Sequence, residues 1–587
     1  MDIIPASQAI GKSRGRAGLD ADGDLCYNLV RVGRIRAAVN RREWRWVALV
    51  TLALVAASNL PYLIAWAVTP DGAHFTGLIF NPQDGNSYMA KMRQGLTGSW
   101  LFRLPYTPEP HNGAPVYVFY LALGHVARWT GLSLIVVYHA ARMAGGVAML
   151  LALYTLASRL SDDVSERRAM FLLAALGSGL GWLVGLLGIV TADLWVPEAF
   201  PAYALLANAH FPLAMGLMVG MVVCGLQAIS GRKRGSREAG KQVSRGAEEQ
   251  GSKGAKKQEA GSKEWLWGLG MVAAAVALGV IQPFGLVAVF GGQGVMLVAR
   301  AVRERRVPWR AVAWMAGAGA AALPYPLYAQ WAIRADPVLA AWNAQNVTPS
   351  PPLWDWALSY GLVLALAVLG IAFAVRRGSD GDWLLLGWVG VTLVGMYLPL
   401  SLQRRLSLGL GVPLGLLAGT GWWRAVRPRV YARRRAFVQG LVVAFCALTP
   451  VFLMLGTPLS PAGRPWFYLS RGEWAALEWL RDEGHPDAVV LCAPQTGLFV
   501  PAWAGQRVVY GHPFETVDAE RRKAQVEAYW AGEMSPAERE AFLRENRVGY
   551  VLVGPRERAL GAGEQGSKGA GEQVFGAGDV RVYEVTR

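Results

Sequence analysis

The chain has 587 residues, 53% of them hydrophobic and only 17% charged, with 24 tryptophans. That composition excludes an ordinary soluble domain and a disordered chain, and apolar runs of roughly 20 residues, each able to cross a hydrocarbon core of about 30 Å, recur along most of the length. The net charge of +17 would suit nucleic acid, but the basic residues cluster between apolar runs, where they act as an orientation signal instead.

Residues 1–45 are polar and basic, without a short apolar stretch leading to a small-residue cleavage site, so we expect a cytoplasmic tail and no cleavable signal. Spans are expected at about 46–68, 133–157, 169–190, 205–229, 265–281, 284–302, 311–331, 353–375, 383–400, 407–423 and 437–457. Short loops that carry Lys and Arg stay on the cytoplasmic side. The loops SRLSDDVSERR, 231–264, RAVRERRVPWR, VRRGSDGD and RAVRPRVYARRR all fall on the side of the basic tail. The expected fold class is therefore a polytopic α-helical membrane protein of about 11 transmembrane helices, N-terminus inside and C-terminus outside. The apolar run PVYVFYLALGHVARW (115–129) is too short to span, and counting it would invert every later loop.

The spans make up 46–457, which holds a first outer loop at 69–132 and a cytoplasmic insert at 231–264. That insert and 561–573 share the heptapeptide EQGSKGA and are too polar to bury a core, so both are expected to be flexible. Residues 458–587 change character. EWAALEWLRDEG has helical spacing, AVVLCA and RVVYG read as strands, SPAEREAFLRENR opens with a capping box, and VGYVLVGP is strand-like. These alternating elements suggest a small extracytoplasmic α/β domain. Cys26, Cys224, Cys446 and Cys492 are too scattered for a disulfide framework or a metal cluster.

Chemistry is expected in the outer loops. In NPQDGNSYMAKMRQG (81–95), Asn81-Pro82 marks a turn, and Tyr88, Met89, Met92 and Leu96 then share one helical face. Lys91, Arg93 and Gln94 lie off it, which describes an amphipathic helix along the membrane surface. Asp84 stands at its start, either capping the helix or serving as a base. The second outer loop offers Asp193, Glu198 and His210, which could bind a cation or orient a sugar or simply be the polar edge of two spans. Arg404 and Arg405, between spans nine and ten, fall outside against the charge rule; either they snorkel to headgroups or they meet an anion, and Arg suits phosphate geometry. Gln282-Pro283 could line the same cavity or simply be a turn. His111, His125 and His139 lack paired metal-ligand spacing and are expected to be structural.

The basic tail, the single span, the outer loop with its acid before an amphipathic helix, and the following YHAARMAGGVAMLLALYTLASRL together resemble the GT-C superfamily of integral-membrane glycosyltransferases, the group of protein O-mannosyltransferases and aminoarabinose transferases. The resemblance covers roughly 45–457 in layout. It implies a polyprenyl-phosphate-linked sugar donor and an acceptor hydroxyl on a lipid, glycan or protein. The first-loop acid, here Asp84, would be the general base for inverting transfer, with Arg404 and Arg405 at the departing phosphate and Tyr88, Lys91, Arg93, Gln94, Asp193, Glu198 and His210 lining the substrate. Family members often pair acids in this loop, whereas here one stands alone as Q-D-G-N, so a metal is unassigned and a divalent cation is the only cofactor candidate. A transporter or flippase would call for internal repeats and ionisable groups in the spans. A non-catalytic scaffold presenting the C-terminal domain is the third alternative.

Overall fold

The computed structural model describes residues 39–242, 250–561 and 571–585, and only the backbone of 229–264. The basic tail therefore lies outside the described residues up to position 38. The first helix begins at Arg41, earlier than hydropathy suggests, because Asn40 and Glu43 form a capping box over its first turn.

Among the described residues, six helices are long and apolar enough to cross a membrane: Arg41–Ala67, Leu134–Leu160, Val164–Leu187, His210–Ala228, Phe284–Glu304 and Leu353–Arg377. Ala432–Cys446 and Leu448–Leu459, bent by 44°, make a seventh if they form one span. The chain is a polytopic helical membrane protein. The remaining expected spans are occupied by shorter helices. Residues 311–331 hold Trp309–Ala322 and Pro324–Ala335, divided at Pro324, which has no N–H to continue the helical ladder, and 407–423 hold Gly411–Gly421. In the expected cytoplasmic insert, helices run on to Gln242 and start again at Gln250, which corrects the expectation of a wholly flexible segment. The Lys, Gln, Glu and Ala there are good helix formers, and each segment extends an apolar helix already nucleated.

The long loop 69–132 is built on two crossing helices, Pro82–Leu96 and Val118–Thr130. They touch backbone to backbone at two glycines. A Cβ on Gly95 would lie 2.0 Å from the Leu121 carbonyl oxygen, and one on Gly124 would lie 1.9 Å from that of Met92. Gly124→Ala is therefore expected to force the helices apart and destabilise the loop by about 3 kcal/mol, read as a lower thermal unfolding midpoint in detergent. Strand β1 (Ala73–Phe75) ties the same loop to the C-terminal segment by antiparallel pairing with β2 (Tyr468–Ser470).

Five further strands form one sheet: β3 (Val489–Leu491), β4 (Arg507–Val508), β5 (Val548–Val553), β6 (Glu572–Ala577) and β7 (Val580–Glu584), in the order β4-β3-β5-β7-β6. The β3–β4 and β3–β5 pairs are parallel, and β7 runs antiparallel to β5 and β6. Both faces are covered. Val490, Leu552 and Val582 pack with Leu477 and Leu480 of helix Arg471–Asp482. Val489, Leu491 and Val551 pack with Trp530 and Phe542 from helices Ala519–Ala531 and Pro536–Glu545. Two-sided burial explains why these strands read as continuous apolar runs. Glu572 and Gln573, expected in a flexible insert, belong to β6, because pairing with β7 supplies the order their composition does not; residues 562–570 lie outside the described residues.

Candidate active site

Asn81 takes the left-handed backbone conformation (φ 47°) that turns the chain into helix Pro82–Leu96, so Asp84 is the third residue of that helix. It does not cap. Asn81 occupies the cap position, and the Asp84 carboxylate accepts no hydrogen bond from the described residues. Its side chain is 47% exposed, and Oδ1 lies 3.9 Å from Nε2 of His512 in the C-terminal segment. A carboxylate in the first turn of a helix sits at the positive end of the helix dipole.

The polar face of this helix is not turned to water, which corrects the picture of a helix lying freely on the membrane surface. Asn86, Ser87 and Lys91 are buried against the C-terminal segment, and Gly85 is buried against Leu78. Lys91 Nζ forms an ion pair of 2.6 Å with Glu515 Oε1, Ser87 hydrogen-bonds to both, and the ammonium stands 4.2 Å from the centre of the Tyr117 ring. Trp503 Nε1 donates to Asn86 Oδ1 (3.0 Å), and Arg93 Nε donates to the Ala502 carbonyl (3.0 Å). Gln94 exchanges two hydrogen bonds with the Arg103 backbone. The charges of Lys91 and Arg93 thus hold two parts of the protein together.

Burial pushes the Glu515 carboxyl up, but Lys91, His512 and the Ser87 bond outweigh it and hold it below the usual range. Burial also holds the His512 imidazole below its ordinary value, against the pull of Glu515 and Asp84. Both groups have depressed folded-state values, so the stability they contribute is present above their unfolded values, about 6.5 for His and 4.3 for Glu, and is lost as pH falls through the folded ones. The thermal midpoint is therefore expected to decline from about pH 6.5 downwards; a midpoint flat between pH 7 and 4 would contradict this. The Lys91 ammonium, lowered first by its own burial, acts in the same direction only in the alkaline range.

Beside Lys91, whose ammonium lies 5.2 Å from its centre, the Tyr88 ring stacks on Tyr120 with centroids 4.1 Å apart, and the Tyr120 hydroxyl lies 2.7 Å from His210 Nδ1. The His210 ring meets Tyr88 edge-on at 5.3 Å. The Tyr88 phenol is raised well above its ordinary value, by burial first and then by the charge of Asp84.

Arg404 and Arg405 differ. Arg404 donates to Glu198 Oε1 at 3.2 Å and lies 4.7 Å above the Trp195 ring. Arg405 has no acidic partner among the described residues. Its guanidinium stands 5.8 Å from the ring of Phe284, which the Gln282-Pro283 break places there. Arg405 and Asp84 both act electrostatically on the same four groups, Tyr88, Lys91, Tyr117 and Glu198, so the fold brings these opposite charges into one neighbourhood from positions 321 residues apart. Asp193 is placed differently. It is buried, and it accepts from the backbone N–H of Gly179 and Gly181 and from the hydroxyls of Thr191 and Thr449, pinning the second outer loop to neighbouring helices.

His111 accepts from the Leu104 backbone N–H, while His125 and His139 bond to the Ser99 and Gly77 carbonyls. No group of three His, Cys, Asp or Glu side chains among the described residues could hold a metal ion. A groove of about 880 Å³, lined by Gly291, Val298, Arg303 and Trp383 among others, contains none of the residues of this site.

Sequence reading missed His512 and Glu515. The available signal was HPFET directly after RVVYG, because loops beyond the carboxyl ends of parallel strands are where α/β sheets place their chemistry.

No family model and no curated protein matches the chain in sequence. Solved structures do match in fold. The oligosaccharyltransferase of Archaeoglobus fulgidus is matched over 86% of this chain and 69% of its own, at TM-score 0.50 and 13% identity. ArnT from Cupriavidus metallidurans is matched over 91% of this chain and 98% of its own, at TM-score 0.50 and 13% identity. The mycobacterial arabinofuranosyltransferase AftD is matched over 94% of this chain but 40% of its own, at TM-score 0.50 and 17% identity. One of these structures is ArnT bound to undecaprenyl phosphate, and another is the archaeal enzyme with an inhibitory peptide and a dolichol-phosphate. The chain has the fold of the GT-C integral-membrane glycosyltransferases.

Proposed function

We propose that the chain is a membrane glycosyltransferase that moves a sugar from a polyprenyl-phosphate-linked donor to an acceptor hydroxyl on the extracytoplasmic side. The observation that supports this best is that two opposite charges, Asp84 and Arg405, act on the same residues, Tyr88, Lys91, Tyr117 and Glu198. Asp84 is a carboxylate free of capping bonds, and Arg405 is a cation with no acidic partner among the described residues.

In this reading Asp84 takes the proton of the acceptor hydroxyl as its oxygen bonds to the anomeric carbon from the face opposite the phosphate. The bond from that carbon to the phosphate oxygen breaks with its electrons, and Arg405 stabilises the charge developing on the polyprenyl phosphate. The configuration inverts. Tyr88, Tyr120 and His210 form the wall against which the sugar rests, and Glu198 holds Arg404 beside the phosphate. Structures of similar fold hold undecaprenyl phosphate or dolichol-phosphate, which supports a lipid phosphate as the anion for Arg405. In this reading the membrane is the cytoplasmic one, with the N-terminus inside and the C-terminal α/β domain outside, an orientation that the distribution of Lys and Arg supports.

Binding of undecaprenyl phosphate to the purified chain tests the anion site. Arg405→Ala is expected to weaken binding at least about tenfold, the value of one charge-assisted bond, and Arg404→Ala less, since Glu198 already neutralises it. Equal affinity for wild type and Arg405→Ala would remove the phosphate site from the reading.

A further inference from the structure

We propose that His512, supplied by the C-terminal segment, is a positioning residue for Asp84: its Nε2–H holds one carboxylate oxygen, leaving the other aimed at the acceptor hydroxyl. The inference rests on the glycosyl-transfer reading above and deepens it.

Hydrogen bonding sets the tautomer. The Phe514 backbone N–H donates to His512 Nδ1 at 3.1 Å, so that nitrogen is the acceptor and the proton of the neutral ring is on Nε2. Burial favours that neutral ring. Nε2 is buried and has no hydrogen-bond partner among the described residues, in a side chain only 2% exposed. A buried donor without an acceptor is costly, and the group facing it at 3.9 Å is Oδ1 of Asp84. A small rotation of the Asp84 side chain closes that gap. Asp84 needs such a partner, because no other donor among the described residues restrains its carboxylate, and an unrestrained base is seldom aligned with the proton it must take.

The loop that carries His512 is held from three sides. Glu515 binds Ser87 and Lys91 of the Asp84 helix. Trp342 Nε1 donates to the Phe514 carbonyl at 3.0 Å, and Gln345 bonds to the Thr516 carbonyl and the Asp518 N–H. Within the loop, the Thr516 N–H donates to the His512 carbonyl at 2.9 Å. The charged groups facing His512 are Asp84 and Lys91 from the surface helix and Glu515 from its own loop, with the Tyr106 ring 5.5 Å away. Lys91 and Ser87 engage Glu515 Oε1, and among the described residues the carboxylate that pairs with His512 Nε2 is that of Asp84, at 3.9 Å.

The test uses the full chain in lipid nanodiscs with ¹⁵N-labelled histidine, His512 being identified by its missing signals in His512→Gln. Solid-state NMR near pH 7.5 is expected to find the proton on Nε2, with a resonance that moves in Asp84→Asn. A proton on Nδ1, or a resonance indifferent to Asp84→Asn, overturns the proposal. In a strain lacking the chain, envelope glycans restored by each variant are profiled by mass spectrometry. His512→Ala is expected to restore transfer at least about tenfold less well than wild type, and His512→Gln, which keeps an N–H donor, to recover most of it. Full transfer by His512→Ala beside an inactive Asp84→Asn removes His512 and leaves the glycosyl-transfer reading standing. Full transfer by Asp84→Asn removes that reading itself.

Discussion

Lys91→Met is expected to destabilise the protein by about 3–5 kcal/mol, among the largest single effects in the chain, although Lys91 touches no substrate in this account. The substitution keeps the length of the side chain but leaves Glu515 buried without a counter-charge. Ser87 alone then satisfies Glu515 Oε1, and Oε2 already lacks a partner among the described residues. The loss should appear as a lower thermal midpoint and as earlier proteolysis of the C-terminal segment, whose grip on the Asp84 helix depends on this pair. The double variant Lys91→Met with Glu515→Gln removes both charges and is expected to recover much of the loss, because a missing pair is far cheaper than a stranded charge. Unchanged stability in Lys91→Met would mean that the pair does not hold the two parts together.

Asp84→Asn is expected to lower sugar transfer by about 10²–10⁴-fold, the range for removal of a positioned general base. Stability should barely change, which separates it from Lys91→Met. Asp84 accepts no hydrogen bond from the described residues and its side chain is 47% exposed, so the amide leaves nothing unsatisfied and fits the same space. A large fall in the thermal midpoint of Asp84→Asn would show that the carboxylate is structural after all.

The membrane fold was legible because span length and charge asymmetry are local properties of the chain. A run such as Leu134–Leu160 announces itself, as does the capping box at Ser535 and Glu538. The start of the Asp84 helix was legible for the same reason, through Asn81-Pro82. Its environment was not. Lys91 and Arg93 read as a solvated face because hydrophobic periodicity reports which residues avoid water, and it is silent about a second layer of protein arriving from residue 502 or 515. Glu515 and His512 lie more than 420 residues beyond Ser87 and Asp84, and nothing local marks their convergence. Asp193 and Asp84 are alike in type and in expected loop position, although the resemblance singled out Asp84 as the base. Four donors claim Asp193 and none among the described residues claims Asp84, a difference that exists only once the loops have folded. The strands β6 and β7 were lost beside a low-complexity tract, where composition conceals the pairing that Val580 and Val582 make.

The most direct test of the central claim is a profile of lipid-linked sugars and envelope glycans in a strain lacking the chain, complemented with wild type or with Asp84→Asn at equal expression. The account predicts that the strain lacks one extracytoplasmic sugar modification and accumulates a polyprenyl-phosphate-linked sugar, that wild type reverses both, and that Asp84→Asn reverses neither. Full restoration by Asp84→Asn, or identical profiles with and without the chain, would contradict it.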